Sequence, residues 1–218
     1  MNQFSAFFHS LDLSAMRSAA LRLTAVLLCL TVHEVCHGLA AWLLGDQTAK
    51  TQQRLSLNPL RHIDWFGLAA MLMLGFGWAK PVSVNMSSFR HPKRDMALTA
   101  LAGPASNFLL AFVLLIFARV VYGAFAKRPG MDWLLEFLFL TAQFSVGLGV
   151  FNMLPISPLD GSKVFFSILP DSAYTKLMYY ERYGVLLLYA LVFLGALDGF
   201  LSRAVYTVFN LMVTLIFG

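Results

Sequence analysis

The sequence predicts an all-α polytopic membrane protein with about five transmembrane helices and a re-entrant or small membrane-associated β element. Of its 218 residues, 59% are hydrophobic and only 12% are charged, and the mean hydropathy is +0.71. Charged residues make up roughly 25% of a typical soluble domain. Because no long polar stretch interrupts the hydrophobic runs, we expect one membrane-embedded domain over 1–218, with a core at 19–163 and a C-terminal helical hairpin at 184–217.

The first transmembrane helix is predicted over 19–44, an apolar run longer than the roughly 20 residues that cross the hydrocarbon core. After a polar stretch, residues 65–78 form a second apolar run that contains three glycines and is too short for a span. We expect this run to enter the membrane and return, or to form a β element with a free edge for strand addition.

Two further clear spans are predicted at 96–121 and 133–154. The third span is cut off by "NMLPISPLDGSK", because each proline disfavours helical geometry in the residue before it. The backbone groups freed there must be satisfied inside the protein, so this stretch is expected to be a broken helix that does not face lipid. Residues 184–200 and 204–217 are predicted to close the chain as two more spans.

The distribution of basic residues predicts the orientation. Ten of the sixteen lysines and arginines fall in 45–95 and 155–183, and the positive-inside rule places such segments in the cytoplasm. The N-terminus would then face outward and the C-terminus inward, in the cell (inner) membrane. The net charge of +5 does not predict a nucleic-acid partner, because no arginine-rich arm or aromatic-basic motif accompanies it. The oligomeric state stays open.

Three ionisable residues lie inside the first predicted span, in "TVHEVCHG". His33, Glu34 and His37 form H-E-x-x-H, and on a helix this spacing puts both imidazoles on one face, where they can bind one Zn²⁺ ion. Zinc with three protein ligands keeps a position for water and lowers its pKa to about 7, while a nearby carboxylate can take the proton. The other interpretation is a hydrogen-bonded cluster packed between helices.

Asp160, in "PLDG", is the best candidate for the third metal ligand. It follows the third span in irregular backbone that can line a cavity. An aspartate before "GSKVFFSIL" can also cap the N-terminus of a helix. The two roles do not exclude each other.

The motifs "HEVCHG", "LAGPASN" and "NMLPISPLDG", in this order, resemble those of the site-2 protease family of intramembrane zinc metalloproteases. "RLSLNPLRHID" and "GWAKPVSVN" resemble segments of its compact bacterial and archaeal members. The likeness covers residues 31–163, and the PDZ-like domain of larger members is missing. The resemblance implies that His33, His37 and Asp160 bind one zinc ion and that Glu34 is the general base. The substrates would be transmembrane segments of membrane proteins, cut in regulated intramembrane proteolysis near the cytoplasmic side.

Two asparagines belong to the same motifs. Asn152 is a candidate donor to the substrate backbone or to a developing oxyanion, and the alternative is that it satisfies carbonyls at a helix end. Asn107 is a candidate for the same site or for helix packing beside Gly103. We expect His62, His91 and Lys80 to be solvated loop residues rather than ligands.

Two other functions are compatible with parts of this pattern. A carrier or membrane chaperone could bind the metal without hydrolysis, but it would not need Glu34 beside the ligands. A prenyl-protein-type metalloprotease also uses H-E-x-x-H and would require a later glutamate as third ligand. The later glutamates are Glu136 and Glu181, in settings that do not suit this role.

Overall fold

The computed structural model describes residues 13–67, 80–125 and 130–218. Within these ranges the chain forms helices and connecting turns, and no strand. Two single-turn 3-10 helices, Pro59–Arg61 and Met86–Ser88, lie between the first and second long helices. The α-helices are α1 Leu13–Leu43, α2 Thr48–Thr51, α3 Pro92–Phe125, α4 Asp132–Asn152, α5 Asp160–Phe166, α6 Asp171–Phe193 and α7 Asp198–Phe217.

Four of the described helices are long and apolar enough to cross a membrane, namely Ser14–Leu43, Pro92–Ala124, Asp132–Asn152 and Asp198–Phe217. The first three agree closely with the predicted spans. In lipid a backbone must satisfy its own polar groups, which explains why these apolar runs are continuous helices. The molecule is therefore all-helical in its described parts and multi-pass by composition.

The predicted span at 184–200 differs from the structure. Helix α6 begins in polar sequence at Asp171, and its apolar part, Tyr183–Phe193, is shorter than a span. Gly195 then turns the chain with φ +65°, a conformation that favours glycine. Helix α7 begins at Asp198 rather than at residue 204, with an acidic residue at its positive end. The count of five spans is thus not confirmed.

The direction of α7 also changes the expected position of the C-terminus. The Phe217 ring lies 5.6 Å from the Phe139 ring, and Arg119 lies over it at 5.7 Å. This is the end of the bundle where Arg17 of α1 approaches Glu136 of α4, at 3.6 Å. Helix α7 therefore ends at the same end of the bundle at which the described part of α1 begins, which differs from the predicted arrangement with the start and the end of the chain on opposite sides.

The predicted re-entrant or β element at 65–78 falls mostly on residues 68–78, which lie outside the described residues. Its first three residues, 65–67, are helical. Lys80 N–H donates to the His62 carbonyl at 2.9 Å, so the two flanks of this stretch are hydrogen-bonded to each other.

Helices α3, α4 and α7 share the main apolar core. Fully buried alanines at positions 111 and 142 let α3 and α4 approach closely, with Leu115 and Val146 between them. Helix α7 covers this core through partly buried residues such as Val208. Helix α1 packs against both α3 and α4, whereas α6 packs chiefly on α5. His33, Glu34 and His37 of α1 thus face the middle of a three-helix arrangement.

Candidate active site

Helix α1 presents three ionisable side chains to the interior of the bundle. His33, Glu34 and His37 are 4%, 9% and 8% exposed. The two imidazoles meet edge to face, with their Nε2 atoms 3.0 Å apart. This proximity follows from the four-residue spacing, since residues i and i+4 are neighbours on a helix. His37 lies about 9 Å and His33 about 15 Å along the axis from the last residue of α1.

Asp160 reaches the imidazoles from another part of the chain. Its Oδ2 atom lies 3.2 Å from His33 Nε2 and 3.1 Å from His37 Nε2. Helix α4 ends before the two prolines, and α5 begins at Asp160 itself. A Cβ atom on Gly161 would lie only 2.3 Å from the Met153 carbonyl oxygen. The Asp-Gly pair therefore lets α5 begin directly against the end of α4, with its carboxylate at the imidazoles.

Helix α3 forms the floor of this cluster. His37 Nδ1 lies 2.7 Å from the Thr99 carbonyl oxygen, which can only accept, so Nδ1 carries the proton. A Cβ atom on Gly103 would lie 2.4 Å from His37 Nε2 and 2.7 Å from His33 Cε1. Glycine at 103 is therefore required for the imidazoles to occupy these positions.

The donor set fits a metal ion. His33, His37 and Asp160 are the group of three ligand residues that the described part of the chain brings within metal-binding reach. Zinc ligands at about 2.05 Å in tetrahedral geometry are separated by about 3.3 Å, close to the separations of 3.0 to 3.2 Å here. With its proton on Nδ1, His37 turns a lone pair from Nε2 toward a carboxylate oxygen. Two acceptors in contact repel unless a cation or proton lies between them.

These residues line a cavity of about 810 Å³. Glu34 borders it beside the imidazoles, and its Oε2 accepts a hydrogen bond from Val82 N–H at 2.9 Å. Apolar residues of α6, among them Val185, Leu188 and Val192, form one wall. The arrangement places a carboxylate and a potential metal site in a largely apolar enclosure.

The two motif asparagines lie in different places. Asn152 lines the cavity, and its Nδ2 donates to the Leu148 carbonyl at 3.0 Å, one turn back on its own helix. Asn107 is fully buried between α3 and α4, where its backbone carbonyl accepts a hydrogen bond from the Ser145 hydroxyl at 2.8 Å. Asn107 does not appear in the cavity lining, and its side-chain amide has no hydrogen-bond partner among the described residues.

Sequence reasoning missed some cavity residues. His62 is 3% exposed and lines the cavity, so the prediction that it is solvated is wrong, whereas His91 and Lys80 are exposed as predicted. Hydropathy does not predict whether a histidine in a polar loop is buried. The spacing between His62 and the H-E-x-x-H motif matches no helical or strand period, so it does not predict that they are close in space. Glu181 also borders the cavity, 4.0 Å from Lys163 Nζ.

The alternative third ligands do not join the imidazoles. Glu136 lies at the far end of α4 beside Arg17. Glu181 lines the cavity wall but is not in the group of ligand atoms that converges with His33 and His37.

Comparison with known proteins gives consistent matches. The family model of Peptidase family M50 matches residues 124–196, a stretch that includes Asp160. "Putative zinc metalloprotease YwhC" of Bacillus subtilis is 39% identical over 159 residues, covering 71% of this chain and 71% of that protein. "Putative zinc metalloprotease Rip2" of Mycolicibacterium smegmatis is 30% identical over 192 residues, covering 84% of this chain and 71% of that protein. No solved structure matches the chain.

Gly103→Ala tests the floor of the cluster. We expect the purified variant to keep its helical content but to lose most of its bound zinc, because the added methyl group overlaps both imidazoles. The matched control is Gly123→Ala on the same helix, where a Cβ atom meets nothing within 4 Å. Zinc per molecule, measured by mass spectrometry of the metal, and circular dichroism give the two readouts. Full zinc retention in Gly103→Ala would contradict the assigned geometry.

Proposed function

The chain belongs to peptidase family M50, and on that premise we propose that it is a zinc-dependent endopeptidase that hydrolyses peptide bonds within transmembrane segments of other membrane proteins. The observation that carries this proposal is the convergence of His33, His37 and Asp160 beside Glu34, in a cavity between apolar helices. The names of the relatives, which describe zinc metalloproteases, support the choice of metal.

In this proposal His33 and His37 would hold the ion through Nε2, and Asp160 would hold it through a carboxylate oxygen. Zinc in such a site acidifies water and polarises the carbonyl to be attacked. The Thr99 carbonyl fixes the tautomer of His37, so that its Nε2 lone pair remains available. Asp160 adds a negative charge, which favours binding of a cation over an arrangement in which the three side chains share a proton.

Glu34 is proposed as the general base. It borders the same cavity as the three ligand residues, one position after His33. Its carboxylate would accept a proton from the attacking water and return it to the amine that leaves, which completes hydrolysis without a further co-reactant. A carrier or chaperone that only holds a metal would have no use for this carboxylate, which argues against the non-hydrolytic alternative.

Asn152 is proposed to bind substrate. One hydrogen of its Nδ2 is used by the Leu148 carbonyl, and an amide nitrogen carries two, so the other is free for a substrate carbonyl or an oxyanion. For Asn107 we propose a supporting role, because it lies between α3 and α4 rather than in the cavity lining.

We further propose that the cleaved segments are transmembrane helices and that the site opens toward the cytoplasm of the inner membrane. Three helices of spanning length, α1, α3 and α4, contribute residues to the cavity lining, so a substrate bond that reaches it would come from within the bilayer. Most of the basic residues fall in 45–95 and 155–183, and the described parts of these segments connect the end of α1 to the start of α3 and follow the end of α4, at the end of the bundle nearer to His37. A cytoplasmic position of that end follows from the positive-inside rule.

Two substitutions separate metal binding from catalysis. We expect Glu34→Gln to keep zinc and to lose cleavage by about 100-fold or more, because general-base catalysis typically contributes 10²–10⁴-fold. We expect Asp160→Ala to reduce both zinc content and cleavage. The assay is cleavage of a panel of single-span proteins by purified enzyme in detergent, with metal content measured in parallel.

Matched controls for these variants are available at the far end of the bundle. Glu136→Gln and Asp132→Ala make the same chemical changes at exposed positions of α4 and should leave zinc and cleavage unchanged. Full activity in Glu34→Gln or Asp160→Ala would reject the mechanism.

The location of the cut tests the substrate class. We expect mass spectrometry of the products to place the cleaved bond inside the hydrophobic segment of a single-span substrate reconstituted in lipid vesicles. Glu34→Gln serves as the control for contaminating proteases. Cleavage confined to the soluble flanks of the substrate would show that the enzyme is not an intramembrane protease.

A further inference from the structure

A short segment beside the cavity, residues 82–85, is hydrogen-bonded to two acidic side chains, Glu34 and Asp46. Pro81, Val82 and Val84 line the cavity. Val82 N–H donates to Glu34 Oε2 at 2.9 Å, and Asn85 N–H donates to a buried carboxylate, Asp46 Oδ2, at 2.7 Å. The first of these acids is the proposed general base, and the second lies outside the metal site.

Asp46 is built into the turn that follows α1. It is 0% exposed, and its Oδ1 accepts from Thr48 N–H at 2.9 Å and from the Thr48 hydroxyl at 2.5 Å. Burial alone raises the pKa of a carboxyl, but the hydrogen bonds from Thr48 and Asn85 hold the pKa of Asp46 below its ordinary value. A buried, ionised carboxylate requires such donors, and the Asn85 N–H is one of them.

The segment also packs closely on α1. A Cβ atom on Gly38 would lie 3.4 Å from Val82 Cγ1 and 2.8 Å from Leu55 Cδ2. Gly38 directly follows His37, so Val82 rests on α1 beside the metal ligands. In the described part of the chain, the Val82 amide supplies the one hydrogen bond to the Glu34 side chain.

We propose that Asp46 is a positioning residue for Glu34, acting through the backbone of residues 82–85. By fixing Asn85, Asp46 holds the Val82 amide where it orients the Glu34 carboxylate toward the cavity. A carboxylate without this contact samples other rotamers, and proton transfer depends steeply on its position. This inference rests on the proposed function, in which Glu34 is the general base.

The test is Asp46→Asn in the full-length enzyme. An asparagine has only one acceptor oxygen, and because Thr48 donates through both its N–H and its hydroxyl, we expect this oxygen to face Thr48. The NH₂ group then faces the Asn85 N–H, donor against donor, and the link to the segment is lost. We expect kcat for a single-span substrate to fall roughly 10- to 100-fold, since small misplacements of catalytic groups cost about that much. We expect KM and zinc content to stay within about twofold, and the backbone amides of 80–86 to exchange hydrogen faster.

The control is Asp95→Asn. Asp95 is equally buried and accepts from a backbone N–H, that of His91 at 3.0 Å, but it does not bond to the 82–85 segment. It should leave kcat, per folded and zinc-loaded molecule, within about twofold of wild type. A merely structural role for Asp46 would instead lower the folded fraction or the zinc content and leave kcat of the remaining enzyme unchanged, which would overturn the proposal.

A second variant covers the case in which Asp46→Asn does not fold. Val82→Pro removes the N–H that contacts Glu34 and leaves Asp46 intact, and it should lower kcat with zinc retained. Full kcat in Val82→Pro would overturn the proposal. Glu34→Gln in the same assay distinguishes failure of the proposed function from failure of the proposed role of Asp46. Cleavage by Glu34→Gln would reject the proposed function itself, whereas an inactive Glu34→Gln with a fully active Asp46→Asn would reject only the role of Asp46.

Discussion

The structure depends on one electrostatic constraint, which is that three electron-pair donors point at one another inside an apolar bundle. Two imidazole nitrogens and a carboxylate oxygen lie 3.0 to 3.2 Å apart, and the three side chains that carry them are largely buried. Such a cluster is unfavourable unless a cation or a proton lies between these atoms. A divalent ion bound by these three residues would remove the repulsion, and its binding free energy would contribute to holding α1 and α5 together.

The fold meets this constraint by bringing backbone unusually close to the ligands. Gly103 lets α3 pass under both imidazoles, and Gly161 lets α5 start against the end of α4. Gly38 performs the same function on the other side of α1, where Val82 packs. Each glycine is needed because a methyl group would occupy the position of a ligand, a carbonyl oxygen or a side chain of the adjoining segment.

The sequence predicted those parts of the site that follow from helical spacing or from a proline-induced break in a helix. His33 and His37 share a helix face because of their spacing, and the prolines before Asp160 predicted the irregular backbone that delivers it. Helix α6 was less predictable, because its polar first half and its apolar second half belong to one helix that ends at a glycine turn. The burial of His62 and Asp46 beside the site was not predicted. Burial of a loop residue depends on which helices the loop packs against, and no local sequence pattern encodes that.

The proposed mechanism places a demand on Glu34 that differs from the demand on the ligands. The ligands would be held by the ion, and His37 is held in addition by the Thr99 carbonyl. A general base has to stay close to the ion without binding it, and its carboxylate needs a contact from elsewhere in the protein. The Val82 amide supplies that contact, and the buried Asp46 explains why a loop segment is rigid enough to do so. The two acids therefore form one unit, in which an aspartate away from the metal restricts the motion of the glutamate beside it.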